Sequence, residues 1–406
     1  MGALGMLAAN PGFRSLCVAR FTSTAGDSLS LVALMVHVAD STGQALAVSV
    51  LLLVGDFAPA LFGPLTGAIS DRFDLRRVMV VCELVQAALL VLIALSLEYL
   101  PLVLVLVGLR ALAGQVFLPA SRAAVPALVK DRDLPVANST LGFGSNGAEA
   151  VGPLLAALLL PLVGVRGALL ADAATFAASA LLLLTLRRMP PAPTAPALLA
   201  GARQGLRYIW STPAVRVIAL GFCAVVACNG IDDVALLVLA KDTFEAGDSA
   251  VGVLLAGAGI GLFAGYLLLS RYASRFTMAW LLVAGFAISS VGNLLTGLAW
   301  AVTAALVLQT IRGLGIAAMD VATNTLIQRL VPPGLLGRVF GSLYGGIGAA
   351  AALSYVAGGL LLDATSAPVT FLIAGAAGTL ATLVVAVRLP RASTPGRETN
   401  TTGATD

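Results

Sequence analysis

The sequence predicts an all-α polytopic membrane protein, with twelve transmembrane helices in two pseudo-symmetric bundles of six. Three observations predict it. Of 406 residues, 59% are hydrophobic and only 11% charged, where a soluble domain carries about 25% charge. Mean hydropathy is +0.98, and nearly charge-free apolar runs recur along the chain, each long enough for a bilayer core of about 30 Å. The second half also repeats features of the first.

The runs fall at residues 14–38, 45–69, 78–98, 101–127, 138–163, 167–186, 214–239, 250–270, 277–298, 301–328, 339–362 and 368–387. Each is too long and too continuously apolar for a barrel strand, so helices are the expected spanning form. Between the sixth and seventh lies "RRMPPAPTAPALLAGARQGLRYIWSTPAVR", whose Pro/Ala-rich first half cannot form a long regular helix. It divides the chain into an N-terminal six-helix bundle (1–188), a cytoplasmic linker (189–213), a C-terminal six-helix bundle (214–388) and a disordered cytoplasmic tail (389–406). The N-terminus lacks the basic flank and long apolar core of a cleavable signal, so the first span is expected to act as an uncleaved one.

Orientation follows from the basic residues. With both termini in the cytoplasm, eighteen of 24 Lys and Arg residues fall at cytoplasmic ends, loops or tails, and only Arg166 and Lys241 fall outside. The net charge of +4 therefore reflects topology and gives no reason to expect nucleic acid. An offset of 202 residues carries Arg110 of "GLRALAG" onto Arg312 of "TIRGLGI", Leu128 onto Leu330 and Gly63 onto Gly265. The related segments run the same way through the membrane, as in a parallel duplication with a cavity between the halves.

Charge deep inside a span is costly and marks a cavity or a partner. Asp27 lies thirteen residues beyond Arg14, about 20 Å along a helix. Asp56, Glu149 and Arg110 also lie near mid-span. Three carboxylates around one arginine can exchange protons near neutral pH; the alternative is a permanent Asp–Arg pair that fixes packing. Arg312 and Asp320 mirror the region around Arg110 and are expected to line the C-terminal half of the cavity. Arg122 lies within a turn or two of the cytoplasmic face, Glu83 near the cytoplasmic end of its span, and Asp172, Asp232 and Asp233 near outer span ends, within reach of water. His37 is expected to be solvated at an outer end, and Gly257, Gly261 and Gly265 form a close-packing stripe. The four cysteines are expected to be reduced, with no metal-ligand spacing.

Five charges crowd into seven positions at Asp71, Arg72, Asp74, Arg76 and Arg77, between the second and third spans. A positive-inside anchor explains the arginines but not the order Gly67, Asp71-Arg72, Arg76-Arg77. That order resembles the loop signature of the major facilitator superfamily, with Asp74 where many members carry glycine. "DRFDLRRVM", "GDSLSLVALMVHVADSTG", "FLPASRAAVPALVKDRDLPVANS", "ADAATFAASALLLL" and "TLIQRLVPPGLLGRVFG" are similar to the branch of twelve-span drug:proton antiporters that includes macrolide-efflux and enterobactin-exporter proteins. The resemblance implies a conformational latch at Gly67, Asp71, Arg72, Arg76 and Arg77, in which Asp71 accepts bonds from a neighbouring helix start and the arginines bridge to the other half. "GAEAVGPLLAALL" resembles the helix motif of facilitator exporters, which assigns bending and close packing to Gly147, Gly152 and Pro153, although Ala156 and Ala157 stand where a glycine pair is common.

The expected function is secondary active efflux of an amphipathic small molecule (a drug, a natural product or a siderophore-like compound) from the bacterial inner membrane. No cofactor is expected; a proton gradient supplies the energy, and the partners are the cargo, protons and lipid, with the chain a monomer. Asp27, Asp56, Arg110, Glu149, Arg312 and Asp320 are the candidates for proton coupling and the cavity. The alternative is a lysophospholipid flippase without proton coupling. Enzyme motifs fail on context: Gly142, Gly144 and Gly147 match a dinucleotide fingerprint, but no strand precedes them. No P-loop, HExxH or GxSxG motif occurs.

Overall fold

In lipid every backbone N–H and C=O must find its partner inside the chain, which favours continuous helix. A computed structural model describes residues 2–42, 45–57, 61–191, 197–230, 232–246 and 248–393. The side chains of 45, 46, 48, 49, 56, 57, 149–154, 157, 233, 248–252 and 390–393 lie outside that description. The described residues form helices joined by short turns, with no strand. In chain order the helices are α1 (Ala3–Ala9), α2 (Pro11–Thr42), α3 (Ala45–Leu52), α4 (Gly63–Arg72), α5 (Leu75–Leu95), α6 (Leu100–Leu128), α7 (Leu134–Leu184), α8 (Leu198–Ser211), α9 (Pro213–Asn229), α10 (Asp232–Val238), α11 (Asp248–Tyr272), α12 (Met278–Thr296), α13 (Val302–Leu330), α14 (Leu336–Ala364) and α15 (Ala367–Ser393).

Nine segments among the described residues are long and apolar enough to cross a membrane. The first expected span, α2, is not among them, although its 32 residues reach about 48 Å. Arg20, Ser23, Asp27 and Ser30 make it too polar along one face. The fifth and sixth expected spans form one run, α7, broken only at Gly164 with φ +65° and ψ −179°. That backbone region is essentially restricted to glycine, so a single residue makes the reversal. The linker region contains an ordered helix, α8, which buries Gly201, Ala202, Gly205 and Ile209. The last helix runs to Ser393, five residues past the expected bundle boundary at 388; the rest of the tail lies outside the described residues.

Helices α2, α5, α6 and α7 pack on one another, and α9 and α11–α15 do likewise. Outward faces are apolar: Val81, Leu84, Leu92 and Leu95 of α5 are exposed, as suits lipid. The halves meet through α4 against α14, α7 against α11 and α6 against α14. Gly63 and Gly67 set the first crossing, because a Cβ on either would collide with the backbone of Gly341 or Gly337.

At this crossing the Asp71 carboxylate meets the first turn of α14. It accepts hydrogen bonds from the backbone N–H groups of Gly337 (2.8 Å) and Arg338 (3.0 Å), and Arg338 Nε lies 3.5 Å from Oδ2. A carboxylate is favoured at a helix N-terminus, where unpaired amides and the helix dipole both point at it. Arg338 also donates to Gln204 of α8 (2.8 Å). The expected bridging by Arg72, Arg76 and Arg77 is not what the structure shows: among the described residues their side chains form no ion pair across the halves. Arg338, brought in by α14 itself, occupies the place beside Asp71. Asp74, the departure from the usual glycine, caps α5 through Arg77 N–H (3.0 Å) and accepts from Met189 N–H (2.8 Å).

Among the described residues, the hydrogen bonds and ion pairs identified between the halves lie toward this end, which carries the arginine-rich turns and is called the basic end below. Asn138 donates to Thr325 (3.0 Å) and Gln328 (2.6 Å), Gln328 to the Arg122 carbonyl (3.0 Å), and Arg329 to Asp131 (3.1 Å). Asp71→Asn keeps the volume but cannot accept from both amides. In a background lacking the four native cysteines, alkylation of a cysteine placed at the buried Thr140 should rise roughly tenfold, the equivalent of one charge-assisted bond. An unchanged rate would remove Asp71 as the closing contact.

Candidate functional site

Among the described residues, three arginine–carboxylate groups lie inside the helical body besides Asp71–Arg338. In the first half, Arg110 on α6 pairs with Asp27 on α2. The guanidinium is 10% exposed, but the Asp27 side chain is 46% exposed. It opens onto a cavity of ≈170 Å³ lined by Leu31, Leu51, Gln86, Val107, Arg110 and Gln115, among others. Beside the pair sits Asp172 on α7, fully buried. Its carboxylate accepts from Ser30 (2.6 Å) and Thr175 (3.0 Å) and interacts electrostatically with both Asp27 and Arg110. Gly26 makes room, since a Cβ there would strike Asp172 and Thr175. Among the described residues, two carboxylates therefore share one guanidinium.

The second half repeats the pairing in a closed form. Arg312 on α13 pairs with Asp232 on α10, with side chains only 9% and 7% exposed. Asp232 also accepts from Asn293 (2.6 Å), Arg312 donates to Gln309 (3.1 Å), Asn293 donates to Asn229 (3.0 Å) and Gln309 to Thr296 (3.1 Å). This polar network closes the pair off from solvent.

The third group joins the halves. Arg122 on α6 faces Asp320 on α13 at 3.7 Å. Asp320 accepts from the Tyr266 hydroxyl (3.0 Å) and from Asn324 (2.8 Å), whose carbonyl accepts from Tyr344 (2.8 Å). Arg20 donates to Ser121 (3.1 Å) next to Arg122 and interacts electrostatically with Asp320.

The structure thus brings Asp27 and Arg110 together, as their depths predict. The side chains of Asp56, Glu149, Gly152 and Pro153 lie outside the described residues. Gly147 lies near the Phe263 ring, in the α7–α11 contact. Arg312 and Asp320 do not share a site: eight residues, about 12 Å, separate them along α13, and they face different neighbours. Three expectations are corrected. Asp172 and Asp232 are buried partners of arginines rather than water-facing ends, because α2, α7, α12 and α13 pack over them. Arg122, placed near the surface by its position in the chain, is 7% exposed because the second half covers it. Glu83, expected only to lie near the cytoplasmic end of its span, is 1% exposed under α2 and α7. The Asp27–Asp232 correspondence was hidden by an offset of 205 residues, three more than that relating Arg110 to Arg312.

The family model described as Major Facilitator Superfamily matches residues 16–239 and 223–405. The chain is 28% identical over 400 residues to the multidrug efflux pump Tap of Mycolicibacterium fortuitum, covering 92% of this chain and 94% of Tap. It is 29% identical over 151 residues to macrolide efflux protein A of Streptococcus pyogenes, covering 34% and 37% of the two chains. Its fold is similar to the crystal structure of a bacterial homologue of the iron transporter ferroportin in an outward-facing state, with TM-score 0.80 at 16% identity over 94% of this chain and 99% of that one. The family model, Tap and the ferroportin homologue match nearly the whole length of a helical, multi-pass chain whose halves close through Asp71 and the start of α14. The chain belongs to the major facilitator superfamily.

Proposed function

We propose that this protein is a proton-coupled efflux transporter of the bacterial inner membrane, working as a monomer of two six-helix halves with both termini and the basic end in the cytoplasm. The observation that carries the reading is the Asp27–Arg110–Asp172 group, half-open to a cavity while the basic end is bonded shut. The names of the efflux relatives support export as the direction. The cargo is an amphipathic organic molecule, with cations favoured by the carboxylates.

Charge balance supplies the mechanism. One guanidinium neutralises one of the two carboxylates, which leaves one negative charge, and so a place for one exchangeable positive charge, in a medium where net charge is costly. A proton fills that place, or a cationic head group does, but not both. A proton arriving from outside releases cargo; cargo arriving from inside releases the proton. Rocking of the two halves about the cavity exposes the group to each side in turn, and neutral occupancy favours the switch. The closed contacts at Asp71, Asn138 and Asp320 are those that must break for the cytoplasmic side to open.

Transport of ethidium and a panel of amphipathic compounds in everted membrane vesicles, with and without an uncoupler, tests the reading. Uncoupler-sensitive uptake supports it. Lysophospholipid movement indifferent to the uncoupler would replace it with a lipid flippase. Asp27→Asn should lower uncoupler-sensitive uptake roughly tenfold or more and weaken ethidium binding, because it keeps volume but removes the excess carboxylate and with it the place for a proton or a cation. Asp232→Asn should behave oppositely, costing about 3–5 kcal/mol of stability through a broken buried pair while residual protein keeps its pH dependence. Scanning calorimetry and flux measured on the same preparations separate the two. Equal losses of coupling in both variants would contradict the division of labour between the halves.

A further inference from the structure

Glu83 on α5 is the buried carboxylate that the mechanism above leaves unused. It is 1% exposed, and its Oε2 has no hydrogen-bond partner among the described residues. The Ser23 hydroxyl of α2 and the Ser179 hydroxyl of α7 lie beside it, both buried. The charged groups facing it are Arg20 from α2 and Asp172 from α7, with the Cys82 thiol adjacent on α5. From α6, Arg110 turns to Asp27 and Arg122 to Asp320. An ionised carboxylate with an unpaired oxygen is costly at such a site, and a site that alternates between protonated and ionised forms explains why no fixed donor is built against Oε2.

Position gives the group a role. Along α2, Arg20, Ser23, Asp27 and Ser30 follow at spacings of three, four and three, so they share one helix face. Along α7, Asp172, Thr175 and Ser179 follow at three and four. The two faces meet, with Ser30 bonded to Asp172 at one level and Ser23 and Ser179 flanking Glu83 at another. Ser179 lies about 10 Å from Asp172 along α7, toward the basic end. Beyond Glu83 the seam reaches Arg20, which borders the Arg122–Asp320 contact between the halves.

We propose that Glu83 carries the proton between the Asp27–Asp172 group and the basic end of the protein. The inference rests on the proton-coupled reading above. The proton leaves the Asp172 carboxyl, and the hydroxyls of the seam each accept one proton and release one, so they are unchanged. The proton ends on Glu83 Oε2. Asp172 becomes a carboxylate beside Arg110 and Glu83 becomes neutral. Separation of the halves at Arg122 and Asp320 then opens the Arg20 end of the seam to water, and Glu83 releases the proton there. Proton and cargo thus use different routes: cargo the cavity between the halves, the proton a seam inside the first half.

The test uses the full chain in liposomes, with ethidium as probe. Three quantities are read for wild type, Glu83→Gln and Glu83→Asp: ethidium movement driven by an imposed pH gradient, ethidium–ethidium exchange without a gradient, and infrared difference spectra on a pH step. E83Q is expected to slow gradient-driven movement tenfold or more and leave exchange within twofold, with E83D partly restoring the driven rate. A purely structural residue would impair both fluxes together. The protonated-carboxyl band that responds to the pH step in wild type should be missing from E83Q and shifted in E83D. E83D carries the test if E83Q does not insert: a wild-type driven rate together with an unshifted band overturns the relay. Wild-type driven movement in E83Q, or parallel loss of both fluxes, also overturns it while leaving proton coupling intact. Wild-type flux insensitive to the gradient overturns the coupling itself, and the relay with it.

Discussion

A guanidinium inside a hydrocarbon slab must be neutralised by groups the chain itself brings there, since water and salt cannot do it. Arg110, Arg122 and Arg312 each meet this demand with a carboxylate from a different helix. Such a pair contributes little net stability over a well-packed apolar alternative, but removing one partner is severe. Its presence therefore fixes which helices lie side by side. Asp27 holds α2 to α6, Asp232 holds α10 to α13, and Asp320 holds the second half against the first. The close crossing of α4 and α14 adds the backbone contact that closes the basic end around Asp71.

The same pairing serves different ends in the two halves because its surroundings differ. Asp232 is enclosed by Asn293, Asn229 and Gln309, whose amides hold the network in one arrangement. Asp27 has no such enclosure; it faces a cavity and has a second carboxylate nearby. An enclosed pair has no route for a proton or a cation, whereas a half-exposed pair with an excess carboxylate has both a route and a place. On the proposed reading, one half of an otherwise duplicated framework holds the structure and the other exchanges charge.

Much of this was legible in the sequence. Helical class and multi-pass character follow from apolar run length, and the depth of Asp27 and Arg110 follows from counting residues at 1.5 Å each. Gly67 and Asp71 carried the signature of the crossing with α14. The missed residues share one physical cause. Arg122, Asp172 and Asp232 were judged by distance from the end of their own span, but burial is set by neighbouring helices. A carboxylate one or two turns from a span end is dry if another helix lies across it, and chain position does not report that. The latch partner was misplaced similarly: the arginines adjacent in sequence to Asp71 were expected to bridge, whereas Arg338 arrives from 267 residues away. The polar residues of α2, read as part of an apolar run, turn toward α6 and α7 rather than lipid.

The central claim is that a proton and a cationic cargo compete for one place beside Arg110. Proton release on binding measures it directly. Purified protein in weakly buffered detergent solution, mixed with ethidium and followed with a pH-sensitive dye, should release about one proton per cation bound, with the release lost when Asp27 is replaced by Asn. Ethidium binding of similar affinity with no proton released by the wild-type protein would contradict the account.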